Sequence, residues 1–343
     1  MSEIVAPEGY RAVPKSAWPV KENGEYVMKQ SYRFERDLSD VFDIDVMHVE
    51  PLGKRPRNEN YKVILMVSDA QIGYRNIDNK LYPIHDEKAI AVATRFAGAI
   101  GPDVLVDGGD TTDFPDLSTH FDPDSDQFRG VLNASFQRTH NYFGDLTEAT
   151  PGAERHTVDS NHVKRFADFV IKRAMPLYGI KRVGEDESML AYKNILQLDK
   201  IGWEFHGTYG TAEYRYKPDL AFTHGTLAVA NGSTSYRLGN KRGNHNRNII
   251  QGHSHRAEAT YNTDPQTRQM YLAATCPVLC RIDGYVPSYN SSVDPANGQP
   301  TKYYENWQQG ALVIYDYEDG HYQFNFAMID DEYTIRYNGK RYT

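Results

Sequence analysis

The stretch from Val63 to Asp110 constrains the chain most. Val63–Val67 is an unbroken apolar run cut off by Ser68-Asp69, and Glu87–Ile100 carries apolar residues at helical spacing. Val104–Val106 is a second apolar run, after the Gly101-Pro102 break, and it leads into Asp107-Gly108-Gly109-Asp110. Unbroken apolar runs suit strands buried on both faces. A strand–helix–strand order implies a parallel pair with a right-handed crossover, so the fold class is α/β. In open α/β sheets functional groups gather outside the carboxyl ends of the strands. The polar residues just past each apolar run are therefore the candidates.

The remaining chain extends the pattern. Gln127–Leu146, Val163–Arg173 and Ser188–Leu198 read as helices, and "RHTVDSNH" as a third strand tip. From about residue 201 strands dominate: "GWEFHG", "AEYRYK", "LAFTHG", "NIIQGHSH", "AEATYNT" and "QMYLAAT". Two late hairpins follow, "ALVIYDYEDGHYQFNFAMI" and "EYTIRYNGKRYT", the second with an Asn338-Gly339 turn. Ahead of both, Asp283–Trp307 is a long loop able to roof a site. Residues 1–60, rich in Pro, Gly and charge, read as an arm or linker with a short basic run at Pro51–Asn60. Residues 61–343 then form the main domain, with a cap region from about residue 257.

Composition sets limits. The chain has 343 residues, 40% of them apolar, which suffices for a real core. A net charge of -8 argues against a surface that coats polyanions generally, while leaving room for a local basic groove. Cys276 and Cys280 are too few for a disulfide scaffold and read as reduced core thiols. No secretory leader opens the chain, and no window approaches the ~18 apolar residues of a membrane span. The expectation is a cytoplasmic protein with no membrane partner.

Five polar clusters follow apolar runs in order: Asp69-x-Gln71, Gly109-Asp110-x-x-Asp113, Ser160-Asn161-His162, His224-Gly225 and Gly252-His253-x-His255. Their carboxylates, amides and imidazoles, without a thiolate, suit Mn²⁺, Fe, Zn²⁺, Ni²⁺ or Co²⁺ and suit Ca²⁺ poorly. A carboxylate has two oxygens and can bridge two ions, which together can clamp both oxygens of a phosphoryl displacement.

This series resembles the calcineurin-like metallophosphoesterase superfamily, whose motifs run D-x-H, G-D-x-x-D, G-N-H-[DE], a lone H often followed by G, and G-H-x-H. The match spans about residues 62–256. The resemblance implies a four-layer αββα sandwich of two mixed sheets and two divalent metal ions, Mn²⁺ foremost, with Fe, Zn²⁺, Ni²⁺, Co²⁺ or Mg²⁺ as alternatives. Asp110 would bridge the ions, Asp69 and His255 would hold the first, and Asn161, His224 and His253 the second. His162 would contact the scissile phosphate and protonate the leaving oxygen, while the nucleophile would be hydroxide held by the metals.

Three positions depart from the pattern. Gln71 replaces a metal-binding His, so the first site should be looser, should favour Mn²⁺ or Mg²⁺ over Zn²⁺, or should fill only with substrate bound. Ser160 replaces a Gly. Val163 replaces the acidic residue that normally orients the His, which weakens the protonation role of His162. Asp113 is followed by Phe114-Pro115 rather than the Arg-Gly of protein phosphatases, so a phosphodiesterase or nuclease acting on DNA, RNA or a nucleotide is expected. The surroundings "SNHVKR", "PLYGI", "IGWEFHG" and "ENWQQG" also resemble phosphoesterases encoded by phages and prophages, which would place the protein in the host cytoplasm.

Other residues are weighed against this set. Lys241 and Arg242, with Arg247, make a basic loop suited to substrate phosphates, and Arg165 lies just past His162. Gly243-Asn244-His245 copies part of a motif in the wrong order and is assigned to that loop. His85 and His120 are supplementary candidates, His206 reads as a strand-end His, and Asp113 as a structural turn residue. The alternative function is a degenerate phosphoesterase fold serving as a binding or scaffold module, motivated by Gln71 and Val163.

Overall fold

The computed structural model describes residues 10–22, 25–36, 60–117, 128, 130–184, 186–229, 233–241, 244, 246–283 and 306–343. Most of the basic run at Pro51–Asn60, His120, Arg242, Gly243, His245 and most of the long loop before Trp307 lie outside these residues.

Strands β1 (Tyr10–Glu22) and β2 (Glu25–Arg36) pair antiparallel, with a register shift between Pro14 and Ser16. This corrects the expectation of an irregular arm over these residues. The Asn23-Gly24 dipeptide between the strands is a strong hairpin cue. The shift falls at Pro14, which has no N–H to give the ladder.

The first large sheet contains β3 (Tyr61–Val67), β6 (Val104–Asp107), β7 (Glu154–Val158) and β8 (Glu204–His206), all parallel. Strands β14 (Gly310–Tyr317) and β15 (Tyr322–Met328) extend it antiparallel, giving the order β15-β14-β3-β6-β7-β8. Between β3 and β6 lie the small hairpin of β4 (Tyr74–Ile77) and β5 (Lys80–Pro83) and helix α1 (Glu87–Ile100). Asp86 caps α1 by accepting from the amides of Lys88 and Ala89, and Gly101, at φ 58°, ends it. Helix α2 (Leu132–Ala149) precedes β7, and α3 (Asn161–Arg173) follows it. Where a helix was expected over Ser188–Leu198, there is one turn, α4 (Tyr192–Ile195), and then a 3₁₀ turn from Leu198. Gln197, at φ 50°, breaks the two apart.

The second sheet has the order β12-β13-β11-β10-β9. It comprises β9 (Tyr214–Lys217), β10 (Leu220–Thr223), β11 (Asn248–Gln251), β12 (Glu258–Thr263) and β13 (Met270–Thr275). Its central trio β10, β11 and β13 is parallel and its edges are antiparallel. Helix α5 (Thr234–Asn240) enters between β10 and β11. At the C-terminus β16 (Ile335–Tyr337) and β17 (Lys340–Tyr342) form the expected hairpin around Asn338-Gly339.

Alternation along the strands builds the layers. Ile64 and Met66 of β3, with Leu312 and Ile314 of β14, join Leu220, Phe222, Ile250 and Leu272 of the second sheet in one buried cluster. Val63, Leu65 and Val67 point the other way, into a cluster with Phe96 of α1, Phe143 of α2 and Phe166 of α3. Leu238 of α5 packs with Ala221, Ile249 and Ala273 on the outer side of the second sheet. The molecule is thus a mixed α/β fold with two mixed sheets sharing a core. Cys276 and Cys280 are fully buried free thiols, with Cys276 in the core between the sheets. Among the described residues no helix is long and apolar enough to cross a membrane.

Candidate metal centre

Register places the polar clusters side by side. Val67 pairs with Asp107 and Asp107 with Thr157, so the segments carrying Asp69, Asp110 and Asn161 leave the first sheet at one edge. Thr223 pairs with Gln251, so His224 and His253 leave the second sheet together. Backbone bonds hold the strand ends together: Asp69 N donates to Gly109 O at 3.0 Å within the first edge and Gly252 N to Thr223 O at 3.1 Å within the second, while Leu279 N, beyond β13, donates to Ser68 O at 3.0 Å and joins the two. Packing is tight enough to require glycine. A Cβ on Gly252 would collide with Ser68 Oγ and sit 2.9 Å from Asp69 Oδ2 and 3.0 Å from Gly108 O.

The backbone at the cluster is unusual. Asp69 (φ 53°), Gln71 (φ 47°), Asp110 (φ 50°), His253 (φ 66°) and His255 (φ 60°) all occupy the left-handed region. Each such non-glycine residue costs on the order of 1–3 kcal/mol, strain that concentrates at functional sites.

Two groups of side chains meet. In one, His255 Nε2 lies 3.1 Å from Asp69 Oδ1 and 3.3 Å from Gln71 Nε2, while His253 N donates to Asp69 Oδ2 at 3.1 Å. Ser68 Oγ donates to the same carboxylate. Gln71 Oε1 is buried without a hydrogen-bond partner, and half a turn of the amide exchanges its oxygen and nitrogen. In the other group, ligand atoms of Asp110, His224 and His253 all lie within 4.8 Å of one another. His224 Nε2 is 3.3 Å from Asp110 Oδ2 and 2.7 Å from Asn161 Oδ1. His224 Nδ1 sits 2.9 Å from Gly108 O, the backbone anchor that leaves Nε2 for the cluster.

Electrostatics follow from burial and proximity. Burial pushes the Asp110 carboxyl up, but His162 and His224 outweigh it and hold it well below the ordinary carboxylate range. Burial alone would depress His224; the Asp110 carboxylate reverses this and raises it to about 9. Burial dominates at His253, pushed down to about 4, and at His162, pushed down to about 3. Asp69 is opposed by burial yet ends below its ordinary value through His255. Behind the cluster burial lifts Asp107 to about 7, although Thr111 and Thr157 hydroxyls each donate to it at 2.7 Å.

His162, in the first turn of α3, is buried. Its N–H donates to Asp110 Oδ1 at 3.1 Å, and its Nε2 lies 3.5 Å from Asp110 Oδ2. Its Nδ1 lies 3.3 Å from Asp113 Oδ1. The sequence had reserved a turn role for Asp113; the second carboxylate of G-D-x-x-D was the available signal for this contact. Arg165 Nη1 donates to Asp113 O at 3.0 Å, beside His162. Trp307, from "ENWQQG", packs edge-on to His255 at 4.3 Å and was also missed.

Other candidates lie elsewhere. Lys241 is exposed in the segment that enters β11 at Asn248, whereas His253 follows the far end of that strand. The apolar run of β11 sends its C-terminal end to the cluster, and the segment carrying Lys241 precedes its other end. Arg247, of the same loop, donates to Glu213 and Asn244. His85 cannot supplement the centre as it stands, because Nδ1 contacts Gly73 O at 2.9 Å and Nε2 contacts Glu87 Oε1 at 2.7 Å. No protein-family model matches the chain, and neither does any curated protein.

Proposed function

We propose that the protein is a metal-dependent phosphoesterase of the calcineurin-like metallophosphoesterase superfamily, acting as a phosphodiesterase on a nucleic acid or nucleotide. The observation that carries this is the convergence of Asp110, His224 and His253 ligand atoms within 4.8 Å, with Asp69 and His255 paired alongside at 3.1 Å. The helix–sheet–sheet–helix layering fits the four-layer αββα sandwich of that superfamily.

The residues present fit a pair of divalent ions. Their donors are oxygen and nitrogen without thiolate, and the Gln71 amide oxygen is buried without a partner. Asp69, His255 and Gln71 would hold one ion and Asn161, His224 and His253 the other, with Asp110 between. Such ions, when bound, supply Lewis-acid charge and lower the pKa of water. His162 Nδ1 makes no hydrogen bond but lies 3.3 Å from Asp113 Oδ1, an ion pair once the ring is protonated, which gives Asp113 the orienting part that Val163 leaves open. A phosphoryl charge beside Nε2 would favour the protonated ring, the form that can pass a proton to a leaving oxygen. Arg165, through Asp113 O, fixes the loop that carries this orienting carboxylate and lies within the same neighbourhood for a phosphate oxygen.

The test is hydrolysis of a bis-aryl phosphodiester against an aryl phosphomonoester by metal-stripped protein with added Mn²⁺, Ni²⁺, Mg²⁺ or Zn²⁺, beside Asp110→Ala. Diester cleavage restored by metal and lost in the variant is expected. No turnover with any metal would refute the proposal and favour the binding module.

A further inference from the structure

A second group of metal-type donors lies at the β7–β8 edge. His156 pairs directly with Glu204 across the two parallel strands, and His206 follows Glu204 by two residues, so all three side chains share one face. His156 Nδ1 lies 3.0 Å from His206 Nε2 and 3.5 Å from Glu204 Oε2, and His206 Nε2 lies 3.8 Å from Glu204 Oε1. A tetrahedral Zn²⁺ with nitrogen and oxygen ligands at about 2.0–2.1 Å separates those ligands by about 3.3–3.4 Å, and one ligand atom from each of the three residues already lies within 4.8 Å of the others.

Surroundings favour a binding site. His156 is only 8% exposed, and Tyr214 of β9 stacks on its ring at 3.7 Å and 15°, which fixes the ring plane. His156 Nε2 is buried without a hydrogen-bond partner. Ligation through Nδ1 places the ring proton on that Nε2, and the metal takes the place of the hydrogen bond between His156 Nδ1 and His206 Nε2. Glu204 is the adjustable member, its side chain 66% exposed, and it leaves one side open to water. Two imidazoles and one carboxylate with an open position are a donor set for Zn²⁺ and its neighbours in the first transition row.

We infer that His156, Glu204 and His206 form a separate transition-metal site that clips the edge strand β8 to β7. It shares no residue with the Asp110 centre and does not depend on the function proposed for that centre.

The test titrates Zn²⁺ alone into the full chain against a chromophoric chelator. Wild type, E204Q and H206Q are compared, and compared again with Asp110→Asn and His253→Gln added to weaken the other centre. H206Q is expected to bind one Zn²⁺ fewer per chain. E204Q should bind that ion on the order of tenfold or more weakly, since even a group that only orients a ligand costs about 10–100-fold when removed. Both differences should persist in the double-variant background. Equal stoichiometry and affinity in wild type, E204Q and H206Q would overturn the proposal. If H206Q or the background variants do not fold, by near-UV circular dichroism, the exposed E204Q change in the wild-type background decides.

Discussion

Replacing Gly252 by Ala tests whether the two sheet edges meet as closely as described. The new methyl group would collide with Ser68 Oγ and approach Asp69 Oδ2 to 2.9 Å and Gly108 O to 3.0 Å. Two of the three neighbours have little room to yield. Gly108 O is backbone, and Asp69 is fully buried and tied to His255 Nε2 and His253 N. Inserting a methyl group into such a space costs about 1–3 kcal/mol. The urea midpoint should fall accordingly, and Mn²⁺ affinity, measured by calorimetry, should fall with it because Asp69 must shift. Adding Ser68→Ala removes the worst collision but leaves the other two, so the double variant should regain only part of the loss. The two changes should be coupled by about 0.5–3 kcal/mol. Gly144→Ala is the control: nothing lies within 4 Å of its added Cβ in α2, and helix propensity predicts a gain of about 0.5–1 kcal/mol. A Gly252→Ala protein with the wild-type urea midpoint and Mn²⁺ affinity would refute the close approach of the loops.

Three further outcomes are expected. Gln71→His should tighten metal binding at the Asp69–His255 pair or shift its preference toward Zn²⁺; unchanged metal dependence in calorimetry would put Gln71 outside the ligand set. Asp113→Asn should lower kcat about tenfold or more and displace the pH profile while leaving KM near its wild-type value, as for a group that positions His162; equal losses in both parameters would contradict that role. Arg138→Met should destabilise by about 3–5 kcal/mol at neutral pH, because it breaks a pair with Glu87 that is mostly buried. Burial favours the neutral Glu87, but hydrogen bonds from Arg138 (2.8 and 2.7 Å) and His85 outweigh it and depress its pKa. This stability is present above the ordinary value of 4.5 and is lost as pH falls below it. The gap between the urea midpoints of wild type and variant should therefore narrow in acid; a constant gap would contradict the assignment.

What the sequence made legible depended on range. Asp69, Asp110, Asn161, His224, His253 and His255 stood out because each follows an apolar run within a few residues, and strand direction alone carries them to one edge. The Asp113–His162 contact and the His156–His206 pair depend on the register of strands and loops about 50 residues apart, which no local pattern encodes. Trp307 reaches His255 across a similar gap in the chain. Lys241 drew notice by its charge, whereas the direction of β11 sets which end of that strand its segment adjoins. The break at Gln197 was invisible because its apolar spacing is helical, and only the left-handed φ of that residue divides α4 from the turn after it.

The two thiols lend themselves to a kinetic use. Cys276 and Cys280 are fully enclosed, and burial pushes both well above the ordinary thiol range. Since the thiolate is the reactive form, an alkylating reagent meets neither thiol until the packing around it parts. Cys276 lies against Met66 O, in the layer where the sheets join. The pace of its alkylation in native buffer is therefore a built-in clock for how often that joint opens, readable by mass spectrometry without introducing a new residue.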